Sequence, residues 1–432
     1  MSKPDVLIIG AGACGLMAAH ELSKVGKKVT VLEARNRIGG RIRTIHSDSF
    51  LMPVETGAEF IHGEFPFTTK LLKEAGINYY ELEGKMFSFR NGELDKNKNF
   101  IEDSRQLEKK MNELKQDMSV NDFLNTYFPG EKYKDLRDST RGFVEGYDAA
   151  DADKASTFAF RDEWNNSETK QFRIEGGYEK LIQHLKERCE AAGVNISLNK
   201  EMAEVRWKKG EVRLFDNDIY YAAPKVIITV PPALLTAEAG SSNAITFFPE
   251  IPEKIAAAGD IGYGNVIKFT LQFKEPFWKD GEMEKRYNQS LEKLSFLFSD
   301  AEVPTWWTQL PYPVPILTGW FAGPRAEKSK DDSETILLDK ALNSLSFIFK
   351  IKVEELKAKL AASHVANWGA DPYSRGAYSY STLASTKARK ELIKPVEDTL
   401  YFAGEALDEG HQTGTVEAAL KDGVRVAKQI IG

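Results

Sequence analysis

The 432-residue chain is 42% hydrophobic and 28% charged, an ordinary balance for a globular protein and long for one core, so two domains are expected. Its net charge of -6, without a long basic run, gives no reason to expect a nucleic-acid partner. Two cysteines, Cys14 and Cys189, supply neither a disulfide framework nor a metal-ligand set, and no metal is expected.

Asp5-Val6-Leu7-Ile8-Ile9 is a short apolar run that reads as a buried parallel strand. It leads into Gly10-Ala11-Gly12-Ala13-Cys14-Gly15 and a helical pattern of Leu16, Ala19, Leu22 and Val25. Residues 28–32 follow as a second strand, with Glu33 at its carboxyl end. Gly10 permits a tight turn, Gly12 lets the backbone approach a pyrophosphate, and Gly15 lets helix pack closely on strand. The helix start offers free amides and a positive dipole end to phosphates. Glu33 stands where a carboxylate binds the ribose hydroxyls of an adenosine. Strand, glycine turn, helix, strand and acid in this order point to a dinucleotide site, without separating nicotinamide from flavin. Cys14 reads as a small packing residue in the loop.

The next segment separates them. Glu33-Ala34-Arg35 runs into Ile38-Gly39-Gly40-Arg41-Ile42-Arg43-Thr44, and here the chain resembles the flavin-containing amine oxidase family, monoamine and polyamine oxidases included. The resemblance implies that Ala34, Arg35, Gly40 and Arg41 help hold FAD, and guanidinium forks suit phosphate. Val54-Glu55-Thr56-Gly57-Ala58-Glu59-Phe60-Ile61-His62-Gly63 resembles the family segment that crosses the flavin, which places Gly57, Ala58 and Glu59 at the cofactor. His62 matches an Ile-His-Gly of the polyamine oxidase branch, with a substrate contact and a structural role both open. Phe60 stands where amino-acid-oxidising members carry an arginine, which favours an amine. Residues 100–146 are helix-periodic through Leu107, Met111, Leu114 and Met118 and are expected as a helical insert. Residues 148–153 form an acidic connection, expected as a surface loop in preference to a cation's entrance.

Arg173-Ile174-Glu175-Gly176-Gly177-Tyr178 opens a helix through Leu181, Leu185 and Cys189 and resembles the return of the chain to the FAD domain. Strands are expected over 196–198, 203–206, 211–215 and 225–230. Val205 aligns with a family valine whose backbone meets the adenine. Residues 266–273 alternate as a half-buried strand carrying Lys268, and a lysine among apolar neighbours is costly without a partner. The resemblance places Lys268 at flavin N5 through a water. Strands are expected over 291–298 and 316–321, and helices over 334–349 and 353–360. Trp306, Trp307, Tyr312 and Trp320 are open between core and cavity lining.

In Trp368-Gly369-Ala370-Asp371-Pro372-Tyr373-Ser374-Arg375-Gly376-Ala377-Tyr378, the resemblance puts Trp368 against the flavin and Tyr378 over the substrate face. Ala377 occupies the position of a cysteine that bonds FAD in some members, which implies noncovalent FAD. Residues 400–402 form a strand ending at Gly404 and Glu405, both expected at the cofactor. Gly410-His411-Gln412-Thr413-Gly414-Thr415-Val416 opens the last helix, whose start is expected to face the flavin. Thr415 replaces a second tyrosine, so the aromatic cage of the monoamine oxidases is expected to lack one wall.

The resemblance implies an α/β fold: an FAD-binding Rossmann-type (glutathione reductase-like) domain with an inserted α+β substrate domain. Residues 1–80, 173–257 and 371–432 are expected to form the first, and 81–172 and 258–370 the second. It implies oxidation of a primary or secondary amine, a polyamine among them, to an imine or aldehyde, with dioxygen reduced to hydrogen peroxide. Lys268, Tyr378 and His62 are the expected catalytic-site residues. Two rival readings are a flavin desaturase and a flavoprotein with structural FAD and a protein partner; Lys268, Trp368 and Tyr378 favour the amine. With no signal segment, hydrophobic tail or apolar stretch of membrane length in view, a cytoplasmic protein without membrane anchor is expected. Oligomeric state is left open.

Overall fold

The computed structural model describes residues 3–432 apart from 64, 97–100, 167–169, 217–218, 239, 242 and 411. Five strands form a wholly parallel sheet, in the order Asn195–Ser197, Val29–Leu32, Val6–Ile9, Lys225–Ile228 and Leu400–Phe402. Such a sheet must be covered on both faces. The two-residue period of the first strand does this: Val6 and Ile8 face one core cluster, Leu7 and Ile9 another. The first cluster joins helices Ala13–Lys24, Glu179–Ala191 and Val416–Ile431 to the sheet. The second joins it to a four-stranded sheet of Ile219–Ala223, Glu211–Asp216, Glu204–Lys208 and Thr246–Phe248.

A seven-stranded sheet runs in the order Leu360–Asn367, Val266–Phe273, Ile316–Ala322, Thr305–Thr308, Leu294–Ser299, Lys85–Arg90 and Glu93–Lys96. Its second strand departs from expectation. Val266–Phe273 is buried along its whole length, because strands flank it on both edges. Ile267, Phe269, Leu271 and Phe273 pack with Leu337, Ala341 and Leu345 of helix Glu334–Phe349. Lys268, one register position on, therefore points to the opposite face. Helices Ser104–Glu113, Val120–Tyr127, Lys134–Gly146 and Thr157–Asn166 gather round Phe123, Leu124, Val144 and Phe160. The expected start of that insert, Phe100, lies outside the described residues. No described helix is long and apolar enough to cross a membrane.

The last helix lies on the first through Gly423, where a Cβ would stand 2.6 Å from the Cys14 carbonyl oxygen and 3.0 Å from Met17 Cβ. Overpacking a tight contact costs about 1–3 kcal/mol. Gly423→Ala should lower stability by that amount in urea unfolding; an unchanged midpoint would show that the helices part freely.

Candidate active site

The carboxyl ends of the parallel strands open on a cavity of about 1520 Å³. An ordinary small-molecule site holds about 300–1,000 Å³, so there is room here for more than one ligand. At one end lie Gly10, Gly12, Glu33, Ala34, Arg35, Gly40 and Arg41; at the other lie His62, Lys268 and Tyr378. Gly57, Ala58, Glu59, Trp368, Gly404, Glu405, Thr415 and Val416 also line it.

Its floor is bare backbone. A Cβ on Gly12 or Gly404 would meet nothing within 4 Å, whereas one on Gly10 (φ +104°) would meet Thr229 Oγ1 at 2.6 Å. Glu33 accepts hydrogen bonds from the Ala11 amide (2.7 Å) and the Arg35 amide (2.9 Å), which fixes the acid beside the glycine turn. Gly57 is required by a close crossing: a Cβ there would lie 1.9 Å from the Arg41 carbonyl oxygen and 3.2 Å from the Trp368 ring. Trp368 Nε1 donates to the Thr56 carbonyl at 2.8 Å. The Arg41 guanidinium donates to Glu405 (2.7 Å) and to the Ala377 carbonyl (2.8 Å). Glu405 in turn accepts from Ser379 Oγ (2.6 Å) and the Gly414 amide (2.9 Å).

Lys268 is 1% exposed, and its ammonium is met by Glu59 Oε2 at 2.6 Å and the Gly57 carbonyl at 3.1 Å. The other oxygen of Glu59 takes Arg173 at 2.6 Å and Trp307 Nε1 at 3.0 Å. Burial opposes charge on Glu59, but Lys268 and Arg173 hold its carboxyl below the usual range.

Aromatic rings close a circuit round the far end of the cavity. Trp307 and Trp320 have centroids 5.9 Å apart, and Trp320 lies over Tyr378 at 6.4 Å and 21°. The Tyr378 hydroxyl donates to the Tyr147 carbonyl at 2.5 Å. Tyr147 meets His62 edge-on at 5.4 Å, His62 lies 6.0 Å from Phe60, and Phe60 returns to Trp307 at 5.4 Å. Asp148 and Glu163 also line the cavity, close enough for each to shift the other. Burial, then the charge of Glu163, raises the Asp148 carboxyl; burial brings Glu163 to about 7. The two titrate as a unit that retains a proton near neutrality.

Several expected site residues stand elsewhere or do something else. Gly15 stands behind the cavity lining in the packing role expected of it: a Cβ there would fall 2.0 Å from the Gly10 carbonyl oxygen. The Val205 side chain is buried between the strands of Leu214 and Phe247, and Met202, three residues earlier, lines the cavity. Arg35 is already forked onto Asp371, at 2.8 and 2.5 Å, with Ser374 at 2.9 Å. Its charge ties two distant segments together at the cavity wall. Thr415 caps the last helix by accepting from the Ala418 amide at 3.1 Å. Tyr147 and Trp320, from other elements, join Tyr378 in the circuit, and Thr415 adds no ring to it. Asp148 lies on the cavity wall and not in a plain surface loop. Trp306 is core, Trp307 and Trp320 line the cavity, and Tyr312 packs against Tyr80. His411 lies outside the described residues.

Comparison with known proteins agrees with this geometry. The chain belongs to the flavin-containing amine oxidoreductase family, whose model (Flavin containing amine oxidoreductase) matches residues 13–128 and 90–431, and it is an amine-oxidising oxidoreductase of that family. It is 28% identical to polyamine oxidase 4 of Oryza sativa subsp. japonica, over 99% of this chain and 88% of that protein. It is 27% identical to lysine-specific histone demethylase 2 of Homo sapiens, over 99% of this chain and 53% of that longer protein. Among solved structures, wild-type putrescine oxidase bound to putrescine superposes with a TM-score of 0.79 at 22% identity, over 100% of this chain and 99% of that one. Cyclohexylamine oxidase from Brevibacterium oxydans gives a TM-score of 0.79 at 18% identity, over 99% of each chain. At those identities the two structures define the fold.

Burial lowers the His62 pKa from 6.5 to about 4, so the imidazole is neutral above that range. The folded pKa lies below the unfolded one, so the unfolded chain takes up the proton first and stability falls as pH drops from about 6.5 to 4. The loss from this group is up to about 3 kcal/mol. His62→Gln should flatten the acid limb of the stability curve by that amount; an identical limb would place the imidazole in solvent.

Proposed function

We propose that the protein is an FAD-dependent oxidase of di- or polyamines, holding FAD noncovalently. The single observation that carries this reading is the Asp148–Glu163 carboxyl pair beside Tyr378 and Tyr147, in the cavity that Lys268 also lines. A single amine at the reaction centre gives no reason to build a second acidic site within the same cavity. A second cationic nitrogen does.

A dinucleotide fits what the residues offer. The uncovered faces of Gly12 and Gly404 leave room for it, the start of helix Ala13–Lys24 presents first-turn amides to a pyrophosphate, and Glu33 is fixed to receive ribose hydroxyls. Gly57, Ala58 and Trp368 would flank the ring system, with Glu405 and Arg41 beside it. Ala377 has no sulfur with which to bond it. In this reading residues 1–80, 173–257 and 371–432 carry the cofactor, and 81–172 and 258–370 the substrate.

Bound FAD would supply two-electron oxidation of an amine to an imine, and reduction of dioxygen to hydrogen peroxide. The protein's part is to orient the amine and select its charge state. The aromatic circuit of Tyr378, Trp320, Trp307, Phe60, His62 and Tyr147 presents an apolar surface to the amine, and desolvation against it favours the uncharged form at the reacting end. His62, neutral and unpaired at Nδ1, contacts the substrate without adding charge. Asp148 and Glu163 hold the remote ammonium, which draws the shared proton off the pair. The Lys268 ammonium stands ready to stabilise negative charge during oxygen reduction.

Asp148→Asn should raise KM for a diamine about tenfold, the worth of about 1.4 kcal/mol, and leave KM for an apolar monoamine within about twofold. For the diamine, KM should fall as pH rises through about 7, because Glu163 ionises there. Equal KM changes for both amines would remove the acid pair from recognition. Lys268→Met should slow flavin reoxidation by dioxygen while FAD stays bound; unchanged reoxidation in rapid mixing would remove Lys268 from that step.

A further inference from the structure

Lys268 does not stand at the cavity alone. One carboxylate, Glu59, serves two cations: Oε2 meets Lys268 at 2.6 Å, and Oε1 meets Arg173 at 2.6 Å. All three are nearly inaccessible, at 1% for Lys268, 7% for Glu59 and 5% for Arg173. They come from different places in the fold. Glu59 belongs to the segment that crosses the cavity, Lys268 to the seven-stranded sheet, and Arg173 to strand Gln171–Ile174. Arg173 is itself pinned by the Thr308 and Leu310 carbonyls, at 3.2 and 3.3 Å, and does not line the cavity.

We propose that Glu59 is a positioning residue for the oxygen half-reaction: it fixes the Lys268 ammonium in its charged form at the cavity wall, while Arg173 from behind fixes Glu59. The proposal rests on the reading of Lys268 given above. Its physical basis is the count of charges. With Glu59 ionised, the buried set carries two positive charges and one negative. Without it, two cations share a water-free site, and a guanidinium cannot release its proton at any accessible pH. The lysine must release its own. The other titratable groups facing the set are Glu55, which burial raises to about 7, and Tyr80, which burial raises to about 12. Neither titrates in the middle of the range used below.

The test compares wild type, Glu59→Gln, Glu59→Gln/Arg173→Met and Lys268→Met as flavin-loaded proteins between about pH 7.5 and 10. Two quantities are read: the rate at which dithionite-reduced flavin is reoxidised by dioxygen, and the thermal midpoint at which flavin fluorescence is released. Wild-type reoxidation should be faster than that of Lys268→Met throughout this range. Glu59→Gln should lose about tenfold or more over the same range, approaching Lys268→Met. Its midpoint should fall relative to wild type as pH decreases from about 10, since its lysine is neutral when folded and protonated when unfolded. Removing Arg173 as well relieves the like-charge repulsion and should return both curves part of the way. A Glu59→Gln enzyme with the wild-type rate profile, or a midpoint offset independent of pH and not recovered in the double variant, overturns the role of Glu59. If Lys268→Met itself reoxidises normally, the reading of Lys268 fails, and the proposal falls with it for that separate reason.

Discussion

Buried carboxylates hold this cavity open, each clamped between segments far apart in the chain. Glu405 gathers Arg41, Ser379 and the Gly414 amide. Glu59 gathers Lys268, Arg173 and Trp307, and Asp371, half-buried, takes the fork of Arg35 in the same way. Glu417, 1% exposed, accepts from the Phe67 and Thr68 amides and so caps helix Pro66–Ala75 from the last helix. Stranding one member of such a buried pair costs about 3–5 kcal/mol, so each clamp is firm only while its partners remain. The wall of the site and the packing of the fold are thus set by the same contacts.

That arrangement divides the cavity by chemistry. Beside the first strand it is glycine backbone and helix amides, suited to phosphates. In the middle, Trp368, Gly57 and Glu405 bring three remote segments within contact of one another. At the far end an aromatic circuit ends in two acids. A flat cofactor between polar and aromatic ends, with a cation anchored beyond it, is the occupancy this gradient favours.

Much of this is legible in the sequence. The apolar run at Val6–Ile9 and the glycines after it read directly as strand and turn, because their spacing is a local matter. The last helix opens where Gly410 to Val416 places its start, and runs Val416–Ile431 with Thr415 as its cap. What escaped was tertiary. Leu360–Asn367 carries only a mixed polar and alanine pattern, and it becomes a strand by pairing with Val266–Phe273. Arg35 looks like a phosphate ligand until its partner arrives 336 residues later. Val205 and Met202 lie three positions apart, and motif alignment alone did not show which would face the cavity. Glu163 sits in a charged helix with no local mark, and only folding sets it beside Asp148.

The account stands on electrons passing from an amine to a flavin held in this cavity. Anaerobic addition of mono-, di- and polyamines to the flavin-loaded protein, followed by visible absorbance, measures that transfer with oxygen removed from the question. Complete bleaching by a di- or polyamine, at lower concentration than by any monoamine, is the predicted result. A flavin that keeps its colour with every amine, although tightly bound, would contradict it.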